Sequence, residues 1–193
     1  VYAVGTTDDP ADSLEFHKAI AAGTAPIGKI DTKVRPSYRP DKALNINLPT
    51  FPAYIKKLSD VSGINIQTSD DVITALIKRL DYFIENGCRA SDHGLDYVPF
   101  RPAAKEQLNA AYEKALRGET VTAEEAEQYQ TAVLLCLGRA YHRLGIAMQI
   151  HYSCYRNANE RLYAKLGPDT GFDMIAQTTC GADLARFLSA LDK

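Results

Sequence analysis

No apolar run in this sequence approaches the length needed to cross a bilayer, and its N-terminus has neither the basic start nor the apolar centre of a signal peptide. No sign of charge dominates: 22 Lys and Arg stand against 24 Asp and Glu, mixed along 193 residues, for a formal net charge of -2. A basic face able to neutralise phosphates is therefore not expected, and neither nucleic acid nor a membrane is an expected partner. The four cysteines, Cys88, Cys136, Cys154 and Cys180, form no Cys-x-x-Cys pair and no dense secreted pattern, which favours a reduced, cytoplasmic protein. The dinucleotide fingerprint, the phosphate loop, the Gly-x-Ser-x-Gly elbow and the His-Glu-x-x-His and His-x-His pairs are all missing.

What is present has the composition of a soluble globular domain, 46% apolar and 24% charged. Short β-branched runs alternate with long helical patterns, the signature of strand-helix units on a parallel sheet. Four strands are expected, at Val1 to Thr7, Lys33 to Tyr38, Gly87 to His93 and Ala147 to Tyr152. A helix is expected from about Asp70 to Asn86, with Val72, Ile73, Leu76, Leu80, Phe83 and Ile84 on one face, Ser69 capping its start and Gly87 its end. A further helical block opens near Pro102, carries Leu108, Ala111, Tyr112 and Leu116, and breaks at Gly118. It restarts at Thr122, where Thr122 and Glu125 fit a capping box, and carries Tyr129, Val133, Leu137, Tyr141 and Leu144 before Gly145 stops it. This makes an extended two-helix crossover. With no internal repeat or domain boundary, residues 1 to 193 read as a single domain. Val1 to Val4 already reads as a strand, so the domain is expected to be partial.

Strand-helix-strand units build either a doubly wound sheet or a closed barrel. The barrel is favoured because each strand ends in a polar cluster, where barrels carry their reactive residues. The first cluster, Thr6-Thr7-Asp8-Asp9-Pro10, reads equally well as a turn capping the next helix, with Asp12, Ser13 and Glu15 in its first turn. In the second, Arg35-Pro36-Ser37-Tyr38-Arg39-Pro40-Asp41-Lys42, two prolines fix the backbone around Arg39, as presentation of a guanidinium to a carboxylate requires. A surface ion pair between Arg39 and Asp41 explains the same residues. The third places Asp92 and His93 at a strand end, where they could serve as ligand, base or structural pair. In the fourth, Gln149 and His151 share a strand face, Ile150 packs outward against helices, and Arg156, Asn157 and Asn159 follow. His17 and His142 fall in helical patterns and are expected at the surface. Tyr112, Tyr129 and Tyr141 have the spacing of packing residues.

Taken in order, these stretches resemble the uronate isomerase (glucuronate isomerase) family of the amidohydrolase superfamily. The resemblance is carried by Val4 to Glu15, Pro36 to Ala43, Gly87 to Asp96, then Gln149, His151, Arg156, Asn157, Asn159 and Leu166 to Asp173. It implies a distorted (β/α)8 barrel of which this chain supplies about strands three to six. The implied activity interconverts D-glucuronate with D-fructuronate and D-galacturonate with D-tagaturonate. It also implies one divalent cation, zinc being the usual one, with ligands mostly outside this chain: the family's His-x-His on the first strand and its catalytic aspartate on the eighth have no counterpart here. On the resemblance, His151 is the catalytic candidate, Arg39 and Arg156 bind the uronate, and Asp92, His93 and Gln149 are further possible site residues. The expected partners are a uronate and further copies of the chain. The alternatives are a noncatalytic fragment or assembly module of such an enzyme, and a metal-dependent hydrolase of the same superfamily.

Overall fold

The computed structural model describes residues 1–26, 28–168, 170–177 and 181–192. Cys180, named above, and Asp169, within the stretch Leu166 to Asp173, lie outside them. Four strands, β1 (Ala3–Asp8), β2 (Lys33–Tyr38), β3 (Ala90–Gly94) and β4 (Ala147–His151), form one parallel sheet in the order β1-β2-β3-β4. Between β1 and β2 lies α1 (Glu15–Ala22). Between β2 and β3 lie α2 (Asp41–Leu44), α3 (Phe51–Ser62) and α4 (Ser69–Glu85). The crossover from β3 to β4 is the expected helix pair, α5 (Lys105–Leu116) and α6 (Ala123–Leu144). Beyond β4, the antiparallel pair β5 (Cys154–Tyr155) and β6 (Met174–Ile175) brackets α7 (Glu160–Leu166), and α8 (Gly181–Leu191) follows. This is the α/β architecture expected from the alternating pattern, with strand order following chain order. No helix among the described residues is long and apolar enough to cross a membrane.

The core lies between the helices and one face of the sheet. Tyr38, Phe51, Phe83, Tyr112, Tyr129, Tyr141 and Phe187 are the largest fully buried side chains among the described residues, and several meet edge to face, as aromatic quadrupoles favour. The three helical tyrosines are thus packing residues, as their spacing predicts. Tyr38 also donates its hydroxyl to the Leu76 carbonyl at 2.7 Å, so the end of β2 is pinned to α4 by a polar contact as well as by area. Ile150 packs toward the helices, as predicted.

Two expectations are corrected, and one helix is added. The cap of α4 is Thr68, whose hydroxyl accepts from the Asp71 N–H while Asp71 accepts from the Thr68 N–H, so Ser69 lies inside the helix. α3 has no counterpart in the sequence reading, although Phe51, Tyr54, Ile55 and Leu58 make its buried face. His17 is a half-buried residue whose Nε2 lies 2.8 Å from Thr6 Oγ1 and 3.7 Å from Asp8 Oδ1, with 11% of its side chain exposed. His142 is exposed, as expected.

Candidate functional site

Side chains alternate across a strand, so register decides which residues share a face. β3 and β4 pair Asp92 with Gln149 and Gly94 with His151, which puts these four on the face away from the helices. β1 and β2 pair Thr7 with Ser37, and Thr7 Oγ1 donates to Asp92 Oδ2 at 3.0 Å across the intervening strand. The open face is therefore polar at its C-terminal edge. His151 stands on this edge with 60% of its side chain exposed, its Nε2 3.0 Å from Asp92 Oδ1.

Two guanidiniums converge beside that pair. Arg39 leaves the end of β2, donates from Nε to Asp41 Oδ2 at 2.7 Å and from Nη1 to Asp92 Oδ2 at 3.4 Å. Arg156, in the loop after β5, donates from Nη1 to Asp173 Oδ2 at 2.9 Å, while the Asn157 N–H donates to the other oxygen of Asp173 at 2.9 Å. The Asn157 amide and the Arg156 guanidinium hold the Asp173 carboxyl below the usual carboxylate range. The arginines meet over Gly94: a Cβ there would overlap the Arg39 guanidinium and stand 3.3 Å from Arg156 Nη2. Only glycine leaves room for both. A cleft of about 380 Å³ opens between them, lined also by Asn45, Tyr97 and Gln130. A planar cation pair beside a histidine and a carboxylate can bind an anionic group bidentately and hold a reacting oxygen near His151.

The structure separates Asp92 from His93. Asp92 lies on the open face, within reach of Thr7, Arg39 and His151, whereas His93 is fully buried on the helix side, its ring 5.8 Å from that of Tyr141. Burial pushes its pKa down to about 4, so the imidazole is neutral at ordinary pH. Its Nδ1 lies 3.8 Å from Asp41 Oδ1, and burial in turn raises the Asp41 pKa.

Of the six residues predicted from sequence, His151, Arg39, Arg156, Asp92 and Gln149 gather along one edge of the open face or its adjoining loops, and His93 lies behind it. The Arg39–Asp41 pair weighed as a surface contact exists, and it is partly buried. Thr7 and Gly94 appear in the sequence only as members of longer polar clusters, with no role of their own, and Asn45 and Gln130 carry no signal there. Gln130 sits in the interior of α6, where no local pattern marks it. Gly94 follows an Asp-His pair, and only the close approach of two side chains distant in sequence gives it meaning. Among the described residues no three His, Cys, Asp or Glu side chains are grouped to hold a metal ion. His151 and Asp92 are two donors with the Arg39 charge 3.4 Å from one of them, so these residues alone do not fit a divalent cation.

The family model of glucuronate isomerase matches residues 1–193. Uronate isomerase from Brachyspira hyodysenteriae is 47% identical over 178 residues, 92% of this chain and 38% of that protein. Uronate isomerase from Clostridium acetobutylicum is 44% identical over 193 residues, all of this chain and 40% of that protein. Among solved structures, uronate isomerase from Thermotoga maritima superposes with a TM-score of 0.90 at 29% identity, covering 100% of this chain and 42% of that one. Glucuronate isomerase from Caulobacter crescentus gives 0.82 at 27% identity, covering 98% and 38%. The chain thus spans about 40% of the length of the relatives it matches.

Proposed function

Because the chain belongs to the glucuronate isomerase family, we propose that it contributes the substrate-holding part of an aldose–ketose isomerase site acting on D-glucuronate and D-galacturonate. The observation that carries this reading is the convergence of Arg39 and Arg156 over Gly94, beside His151 and Asp92. Isomerisation moves a proton between the carbons flanking a carbonyl, so the site needs a base, a group that polarises the oxygens, and an anchor for the remote carboxylate. In this assignment Arg39 and Arg156 are the anchor, donating paired N–H groups to the uronate carboxylate. His151, its Nε2 3.0 Å from Asp92, is assigned to meet the substrate oxygens, and Gln149, on the same face, is within the same neighbourhood. A divalent cation, zinc by preference, would polarise the reacting oxygens when bound. Its ligands are assigned to residues beyond this chain, since those present do not fit one, and the proton-abstracting base is assigned there too. Further copies of the chain are the proposed assembly partners, and the cytoplasm the proposed location.

The test is isomerisation of D-glucuronate and D-galacturonate, with zinc supplied, by this polypeptide beside the complete gene product in which its sequence stands. Activity of the complete product alone is expected. Activity of the 193 residues by themselves would overturn the assignment of base and metal ligands elsewhere, and inactivity of both would overturn the isomerase reading.

A further inference from the structure

We propose that Asp41 is a positioning residue for this reaction: its carboxylate, backed by His93, fixes the Arg39 guanidinium in the attitude that receives the uronate carboxylate. The inference rests on the reading of Arg39 as a carboxylate anchor. One oxygen of Asp41, Oδ2, accepts both from Arg39 Nε at 2.7 Å and from the Gly94 N–H at 2.9 Å. It therefore ties the arginine to the backbone of β3 at the point where the two guanidiniums meet. Arg39 Nη1 is held separately by Asp92 at 3.4 Å. With Nε and Nη1 engaged, the Nη2 corner is left to face Arg156 over Gly94.

The other oxygen, Oδ1, is buried, accepts no hydrogen bond, and lies 3.8 Å from Nδ1 of His93. Both ring nitrogens of His93 are likewise buried without a hydrogen-bond partner. A donor and an acceptor that are buried, facing and otherwise unmatched are a costly arrangement. A small closure of the end of β3 onto α2 would join them. His93 sits one residue before Gly94, so this contact and the Gly94 amide act on Asp41 from one strand end. An unrestrained arginine side chain loses rotamer freedom when it binds; held at Nε it meets its ligand preorganised.

Charge and orientation predict opposite results, which makes the idea testable. Asp41 is a negative charge beside the proposed anion site, so if it acted through charge alone, its removal would tighten uronate binding. In the complete gene product, Asp41→Ala is expected to raise KM for D-glucuronate about tenfold, with kcat changed much less. Asp41→Asn, which retains an acceptor, is expected to recover part of that loss. In an Arg39→Lys background, Asp41→Ala is expected to add little, because a lysine has no Nε–H to hold. A lower or unchanged KM in Asp41→Ala, or an equal rise in the Arg39→Lys background, overturns the proposal. An unchanged KM in Arg39→Lys itself overturns the anchor reading beneath it, so the two failures are told apart.

Discussion

At Gly94 a single hydrogen atom stands where two guanidiniums cross, with Arg39 already in contact with the space a methyl group would fill and Arg156 Nη2 3.3 Å from it. Its backbone angle is not in the left-handed region, so alanine there is sterically unwelcome to the arginines and not to the chain itself. Gly94→Ala is therefore expected to spare the fold while pushing Arg39 off Asp41 and Asp92. The expected result is a tenfold or greater rise in KM for D-glucuronate with a thermal midpoint within a few degrees of the parent. A large loss of stability with an unchanged KM in the folded fraction would show that the close approach has no bearing on binding. Such a residue is hard to see from sequence because its role is defined by neighbours contributed from β2 and from the loop after β5. Arg39 was easier, since Pro36 and Pro40 flank it and announce a fixed backbone. His17 was misplaced for a related reason: a helical histidine reads as solvated until Thr6 and Asp8, from a strand, are seen against it.

Among the elements, the strongest local signals belong to α6. Thr122 Oγ1 accepts from the Glu125 N–H at 3.2 Å, Glu125 Oε2 accepts from the Thr122 N–H at 2.9 Å, and the Gly145 cap adopts φ 66° at the other end. These are contacts between residues three apart, so they are legible in a sequence without knowledge of the fold. Thr122→Ala removes one side of the box and is expected to cost about 1 kcal/mol, read as a lower urea midpoint with an unchanged slope. No change in midpoint would mean that Lys114, which pairs with Glu125 from α5, holds the helix start by itself. α3 shows the opposite case. Its cap residue Thr50 makes no side-chain cap hydrogen bond, and Phe51 and Pro52 open it without a polar signal. Its place in the fold comes instead from tertiary contacts. Phe51 packs against Tyr112 and Tyr129, and Tyr54 donates its hydroxyl to Asp9 at 3.0 Å. That last contact also explains the first polar cluster: Asp9 serves a turn and a helix, with its Oδ1 accepting from the Ala11 N–H as well.

For the whole molecule, the alternation of strands and helices is sufficient to read a parallel sheet, and the sheet order β1-β2-β3-β4 follows chain order because consecutive strands lie side by side, however long the helical crossover between them. What local pattern cannot supply is the identity of whatever borders the sheet. Its open face is polar where Thr7, Asp92, Gln149 and His151 line it, so exposure of that face by itself gives little drive to associate. The edge differs. Among the described residues β1 pairs on one side only, with β2, and carries Val4 at 43% exposure beside its unpaired backbone groups, with Tyr2 just before it at 77%. Unpaired N–H and C=O groups flanked by apolar side chains are a template for another strand, and lysine is the usual means of blunting one. The 193-residue polypeptide is therefore expected to self-associate as its concentration rises toward about 100 µM, and Val4→Lys is expected to return it to a monomer with its helical signal intact. Sedimentation velocity across a dilution series reads both. If the parent sediments as a monomer throughout, the β1 edge is quiet; if Val4→Lys associates as strongly as the parent, the contact lies elsewhere, and the apolar Leu188 of α8, 54% exposed, is the next surface to charge.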